Sequence, residues 1–202
     1  MLSKSAGIRI VVINGSVRPG NYTSMASALV VDELEKDPEV TVHLVNPEDY
    51  HLPFPGANHA EGTKRLQEEV KNATAVVLAT PEYHGSFSSV MKLVIENLGF
   101  PSVLAGKPVA LLGVAAGSIG AIKSLEQLRS VCSHIGAIVL PLPVSVPNVQ
   151  KVFDPSGHPL DPAAEKLIRS VATNVLNYIR QNICPSVTLE RLLRGGAVTA
   201  GS

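Results

Sequence analysis

The sequence predicts an α/β protein built as an open, doubly wound sheet of five parallel strands with helices on both faces. Short runs rich in branched apolar residues alternate with longer amphipathic stretches, five times in succession. Those runs are nearly uninterrupted, as strands must be when both faces of a sheet are covered. The chain has 202 residues with no internal repeat, a length suited to one domain.

Ile8–Ile13 reads as the first strand. After a Gly- and Pro-bearing turn, Ser24–Lys36 carries Met25, Ala26, Leu29, Val30 and Leu34 at helical spacing. Val40–Val45 is the second strand, stopped by Asn46-Pro47. A loop with Pro53, Pro55 and Gly56 leads to a polar helix near Thr63–Asn72, and Ala75–Thr80 is the third strand. The next helix spans about Ser88 to Leu98, with Val90, Met91, Val94, Ile95 and Leu98 on one side, and Pro108–Ala115 is the fourth strand. Ile119, Ile122, Leu125, Leu128, Cys132 and Ile135 trace an apolar helical stripe; Ala137–Leu142 is the fifth strand. A last long helix covers Pro162–Gln181, with Leu167, Ile168, Val171, Val175 and Ile179 facing inward. Residues 1–184 form the domain and 185–202 a tail, in which Val187–Arg194 is a short helix and Gly195–Ser202 is frayed.

Composition removes several classes of function. Seventeen basic residues balance seventeen acidic ones, so the net charge is zero and no electrostatic case exists for nucleic acid or an anionic membrane. Hydrophobic residues make up 45% and charged ones 17%, enough for a large core. Two cysteines, Cys132 and Cys184, cannot form a disulfide framework or a four-thiolate zinc site. Cys132 falls on an apolar stripe, and the six histidines are scattered without metal-ligand spacing. No run is long enough to span a bilayer, and no signal-peptide pattern opens the chain. The expectation is a cytoplasmic protein.

Ligands of open α/β sheets sit beyond the carboxyl ends of the strands, which singles out three loops. The first, Asn14–Ser24, combines Gly15 and Gly20 with Ser16, Asn21, Thr23 and Ser24 and one fixed charge, Arg18. It opens onto a helix N-terminus, whose free amides favour a phosphate. It has neither the Gly-Lys-Ser/Thr triplet of a nucleotide-triphosphate loop nor the dinucleotide glycine fingerprint, and a plain capped turn is its alternative reading. The second, Thr80–Ser88, brings Pro81, Tyr83, His84, Gly85 and Phe87 together as a stiff wall for a flat ring, in a chain that is only 4% aromatic. There a tight turn with Tyr83 and Phe87 as core filler is the alternative, and Glu82 and His84 read equally as solvated residues. The third, Gly113–Gly120, is small enough for close backbone approach. A phosphate cradle, a platform and a backbone-lined edge fit FMN better than a sugar phosphate. No nucleophile elbow, metal motif or carboxylate pair accompanies them, as expected where a cofactor carries the chemistry.

Gly15-Ser16-x-Arg18, Pro81-Glu82-Tyr83-His84-Gly85-Ser86, Met91-Lys92 with Glu96-Asn97, and Ala105-Gly106-Lys107-Pro108-Val109 together resemble the NADPH-dependent FMN reductases, which include quinone, azo-dye and chromate reductases. The resemblance covers about Ile8 to Arg180. It implies a flavodoxin-like sheet with strand order 2-1-3-4-5. It implies that Ser16, Arg18, Asn21, Tyr22 and Thr23 hold the FMN phosphate. Pro81, Glu82, Tyr83, His84, Gly85 and Ser86 would then line the isoalloxazine ring, with Ala116, Gly117 and Ser118 on its other side. His84-Gly85 stands where many quinone reductases of the group carry Asn and an aromatic residue. The implied activity is ping-pong hydride transfer from NADPH or NADH through bound FMN to a small acceptor, such as a quinone, azo compound, free flavin or metal oxyanion. His84 is a candidate stabiliser of the reduced flavin, and a homodimer or homotetramer the implied assembly. A one-electron carrier and an FMN-binding regulator are the alternatives.

Overall fold

Ile8–Asn14, strand β1, runs through the middle of the sheet, and the unbroken apolar run Ile10–Ile13 within it follows from that position. Successive strand residues point to opposite faces, and here each face has its own core. Ile10 and Val12 pack on one side, among Val30 and Leu34 of helix α1 (Tyr22–Glu35) and Ile168 and Val175 of helix α5 (Pro162–Tyr178). Val11 and Ile13 pack on the other, among Leu66 and Val70 of α2 (Glu61–Lys71), Met91 and Ile95 of α3 (Ser89–Glu96), and Leu128 of α4 (Ile122–His134). A polar residue anywhere in Ile10–Ile13 would face apolar side chains, where burying a Val or Ile contributes about 1.5–3 kcal/mol.

This computed structural model describes residues 7–57 and 61–196. Strand β2 (Val40–Val45) flanks β1 on one side and β3 (Ala75–Tyr83) on the other, followed by β5 (Pro108–Val114) and the short β6 (Ile138–Val139), all parallel. The winding order of the main strands is the one expected, reversing between β1 and β3. Arg169 ties α5 to α1 through Asp32 and through Glu33 at 3.2 Å, fixing the helix that opens the first loop.

Four expectations need correction. The fifth strand is not continuous over Ala137–Leu142. It splits into β6 and a second piece, β7 (Val144–Val146), which pairs with the far end of β5. Pro108 faces Ile138 whereas Leu112 faces Val144, so the edge carries two extra residues, accommodated where Leu142 adopts a left-handed φ of 62°. Pro141 and Pro143 lack the amide protons that would have kept the ladder intact. The third strand is longer than expected, ending at Tyr83 instead of Thr80.

On α4, Ile119 lies before the helix and is 76% exposed, and Ile122 is also exposed; on α5, Leu167 is exposed rather than inward. Finally, α5 leads through a π-helical turn (Ile179–Ile183) directly into α6, Cys184–Gly196. The expected short helix at Val187–Arg194 is thus part of a longer one that includes Gly195, and residues 197–202 of the tail fall outside the described residues. Pro185 sits in the first turn of α6, one residue after Cys184, whose amide still bonds back to the Ile179 carbonyl across the π turn. Among the described residues, no helix is long and apolar enough to cross a membrane.

Candidate active site

The loop after β1 is clamped by its own polar groups. The Gly15 amide donates to the Ala79 carbonyl at 2.7 Å, and the Ser88 hydroxyl donates to the Gly15 carbonyl at 2.6 Å. A Cβ on Gly15 would stand 2.6 Å from the Ala79 oxygen and 3.0 Å from the Met91 methyl, so only glycine fits. The Asn14 amide group donates to the Ser16 carbonyl at 2.9 Å and the Ser24 hydroxyl at 2.6 Å. Asn21 is the helix cap: its Oδ1 accepts the Ser24 amide at 2.7 Å, and its Nδ2 donates to the Arg18 carbonyl at 2.7 Å. Two groups remain. The Ser16 hydroxyl and Asn14 Oδ1 are buried without a hydrogen-bond partner, and such groups are costly unless a ligand meets them. The first turn of α1 carries no acidic side chain, and the Tyr22 and Thr23 amides have no carbonyl one turn back inside the helix.

The segment after β3 is a hairpin, not an open loop. Glu82 pairs with Phe87 and Tyr83 with Ser86 of β4 (Ser86–Phe87), antiparallel. His84 and Gly85 have φ of 51° and 73°. Positive φ at both central residues is the signature of the two-residue turn whose twist matches a β-hairpin. The Ser86 hydroxyl donates to Gln127 Oε1 at 2.6 Å, and Gln127 Nε2 donates to the Gly85 carbonyl at 3.0 Å, so α4 holds the hairpin. The Glu82 carboxylate also reaches α4, accepting from Ser124. Tyr83 turns the other way, with the Arg18 guanidinium 4.6 Å from its ring centre, a cation–π contact that joins the first two loops.

The third loop is laced to the chain after β7. Ala115 donates to Val146 and accepts from Val149, both at 3.0 Å; Gly117 accepts from Asn148 at 3.1 Å, and Ala116 from Gln150 Nε2 at 3.2 Å.

The three loops meet around a cleft of about 380 Å³ lined by Arg18 to Thr23, Pro81 to Tyr83, Val114 to Ala116 and Val149. Of the residues expected there, Arg18, Asn21, Tyr22, Thr23, Pro81, Glu82, Tyr83 and Ala116 line it. Ser16 is buried two residues before Arg18, and Gly117 and Ser118 continue outward, exposed, from Ala116. His84 and Gly85 form the turn beyond the cleft lining, and Ser86 borders a different, open groove with Phe87, Lys92 and Gln127. Val149 and Gln150 were not anticipated, because the chain between β7 and α5 carries no strand–loop–helix signal. Neither cysteine enters the cleft lining; Cys132 is fully enclosed, and burial pushes its thiol up to about 12.

The polar inventory suits a phosphate-bearing flat ligand. One end offers the Arg18 guanidinium and the helix amides, with the unpartnered Ser16 hydroxyl buried behind them in the same loop; the other offers the backbone of Pro81–Tyr83 and Val114–Ala116. Residues 8–151 match the family of NADPH-dependent FMN reductases. The chain belongs to that family. It is 30% identical over 186 residues to an NAD(P)H-dependent FMN reductase from Pseudomonas aeruginosa, covering 88% of this chain and 98% of the relative. It is 28% identical to an NADPH azoreductase from a Bacillus species over 85% of this chain and 94% of that one. The flavoenzyme NAD(P)H:(acceptor) oxidoreductase FerB from Paracoccus denitrificans shares the fold, with a TM-score of 0.72 at 21% identity over 86% of this chain and 98% of its own. Membership makes this FMN reductase an oxidoreductase with FMN as cofactor and NAD(P)H as reductant.

Proposed function

We propose that this FMN reductase works by a ping-pong cycle in the cleft between the three loops, reducing a small quinone- or azo-type acceptor. FMN, when bound, would supply the hydride chemistry between NAD(P)H and the acceptor, and the residues of the three loops would hold it. The carrying observation is the cleft's division of labour, with Arg18 and the start of α1 at one end, an unpartnered buried Ser16 hydroxyl in the same loop, and the backbone of β3 and β5 at the other end.

In this reading the Ser16 hydroxyl, the Arg18 guanidinium and the Tyr22 and Thr23 amides hold the phosphate. Asn21 contributes by capping α1, so those amides stay aimed. Pro81–Tyr83 and Ala115–Ala116 are the walls against which the ring rests. The protein's share of the catalysis is orientation of the two reactants and exclusion of water. In this reading His84, exposed on its turn beyond the cleft lining, is the side chain that would meet an acceptor or the reduced flavin. Relatives named as quinone reductase from Escherichia coli and as 2-hydroxy-1,4-benzoquinone reductase from a Burkholderia species support the acceptor class. A cytoplasmic homodimer or homotetramer completes the proposal.

The test is an anaerobic absorbance titration of the FMN-loaded protein with NADPH, followed by a quinone. Bleaching of the flavin band, with recovery when the quinone is added, is the expected result. Tight FMN binding without bleaching would return the chain to the carrier or regulator alternatives.

A further inference from the structure

Glu82 lies in the cleft wall between Pro81 and Tyr83, yet its carboxylate is engaged with another element. Oε2 accepts from the Ser124 amide at 3.1 Å and from the Ser124 hydroxyl at 3.2 Å. Ser124 is fully buried in the first turn of α4. That helix begins at Ala121, which has no side-chain oxygen to cap it, and its first turn holds no acidic residue. Helix starts leave amides unpaired and attract negative charge. Here the missing cap and the missing anion both come from β3. On its other side the α4 start is fastened by the Ser145 hydroxyl, which accepts the Ala121 amide at 2.9 Å.

The third loop is therefore held between two anchors. Its Ala115 and Ala116 form one cleft wall; Glu82 belongs to the other. We propose that Glu82 is a positioning residue: by capping α4 through Ser124, it fixes the separation of the two walls and so the fit of the slot for the flavin ring. The carboxylate touches the helix, and the ring feels it only through the wall. This deepens, and rests on, the reading of the cleft as an FMN site.

The experiment compares FMN and riboflavin binding, by quenching of flavin fluorescence, in wild type and in Glu82→Ala, Glu82→Gln and Ser124→Ala, with thermal melting in parallel. Riboflavin lacks the phosphate, so it reports the slot alone. Glu82→Ala should weaken both flavins by the same factor of about ten, the affinity equivalent of one charge-assisted hydrogen bond. Glu82→Gln keeps an acceptor oxygen and should bind both within about threefold of wild type. If Glu82→Ala does not fold, Ser124→Ala carries the test, with both flavins expected to weaken about two- to threefold. A lowered melting temperature with both affinities unchanged would overturn the proposal, as would a loss confined to FMN. Failure of the wild type to bind FMN would overturn the site assignment itself.

Discussion

The loop after β1 and the hairpin after β3 flank the same cleft, but they use their polar side chains in opposite ways. In the first, Asn14, Asn21 and Ser24 bind one another and the local backbone, which leaves the Ser16 hydroxyl buried and unmatched. In the second, Glu82 and Ser86 both point their hydrogen bonds at α4, leaving Pro81 and Tyr83 to face the cleft. One region keeps a polar group unsatisfied for a ligand; the other satisfies its own and offers a surface. A phosphate needs donors held ready, since any donor already paired must first be freed. A flat ring needs shape, which comes from backbone that does not move. The contrast explains why residues equally prominent in the sequence have unequal roles.

Substitutions can break each half of this contrast separately. The largest effect is expected at Gly15. Alanine there drives a methyl into the Ala79 carbonyl, and overpacking of this kind costs about 1–3 kcal/mol. Urea unfolding should register that loss, with FMN binding weakened beyond it because the whole loop must shift. Next is Arg18→Ala, which removes the first loop's fixed charge. A factor of about ten to a hundred in FMN affinity should disappear, while riboflavin affinity stays near the wild-type value.

Ser16 and Asn21 then form a matched pair with opposite signatures. Ser16→Ala deletes a hydroxyl without a partner, so stability should hold or rise while FMN affinity falls about tenfold. Asn21→Ala deletes a cap and should cost about 1 kcal/mol of stability. Its effect on FMN should be the smaller of the two. Calorimetric melting and flavin titration on both variants would separate a ligand group from a structural one. The smallest effect belongs to His84→Asn. Asparagine tolerates the left-handed φ of 51° at least as well as histidine, so stability should change by less than about 0.5 kcal/mol. A large fall in quinone turnover with FMN binding intact would then locate His84 on the acceptor's path.

Much of the fold was legible because the central strands obey a simple rule. Residues buried on both faces must be apolar without interruption, and Ile10–Ile13 of β1, Ala75–Ala79 of β3 and Pro108–Val114 of β5 are. The sheet edge was less legible. Two residues of β6 and three of β7 are too short to leave a periodic signal, and Pro141 and Pro143 were visible without showing that the chain would rejoin β5 beyond them. The same brevity hid the hairpin, whose returning strand is only Ser86–Phe87.

At the site, the glycine-bearing loop and the helix start after it pointed to a phosphate, but nothing local marked Asn21 as the cap instead of a serine or threonine. Glu82 and Ser124 lie 42 residues apart. Their contact comes from the packing of α4 beside β3, which no spacing in the sequence encodes. Side-chain roles set by neighbours close in the chain could be read; those set across the fold could not.

The account's central claim is that the first loop supplies phosphate affinity and the two walls supply the ring slot. Parallel titration of the wild-type protein with FMN and with riboflavin tests it most directly. The account predicts that FMN binds at least about a hundredfold more tightly, a difference near 2.7 kcal/mol, and that added salt narrows the gap. Equal affinity for the two flavins would contradict it, because the phosphate would then have no partner in the loop after β1.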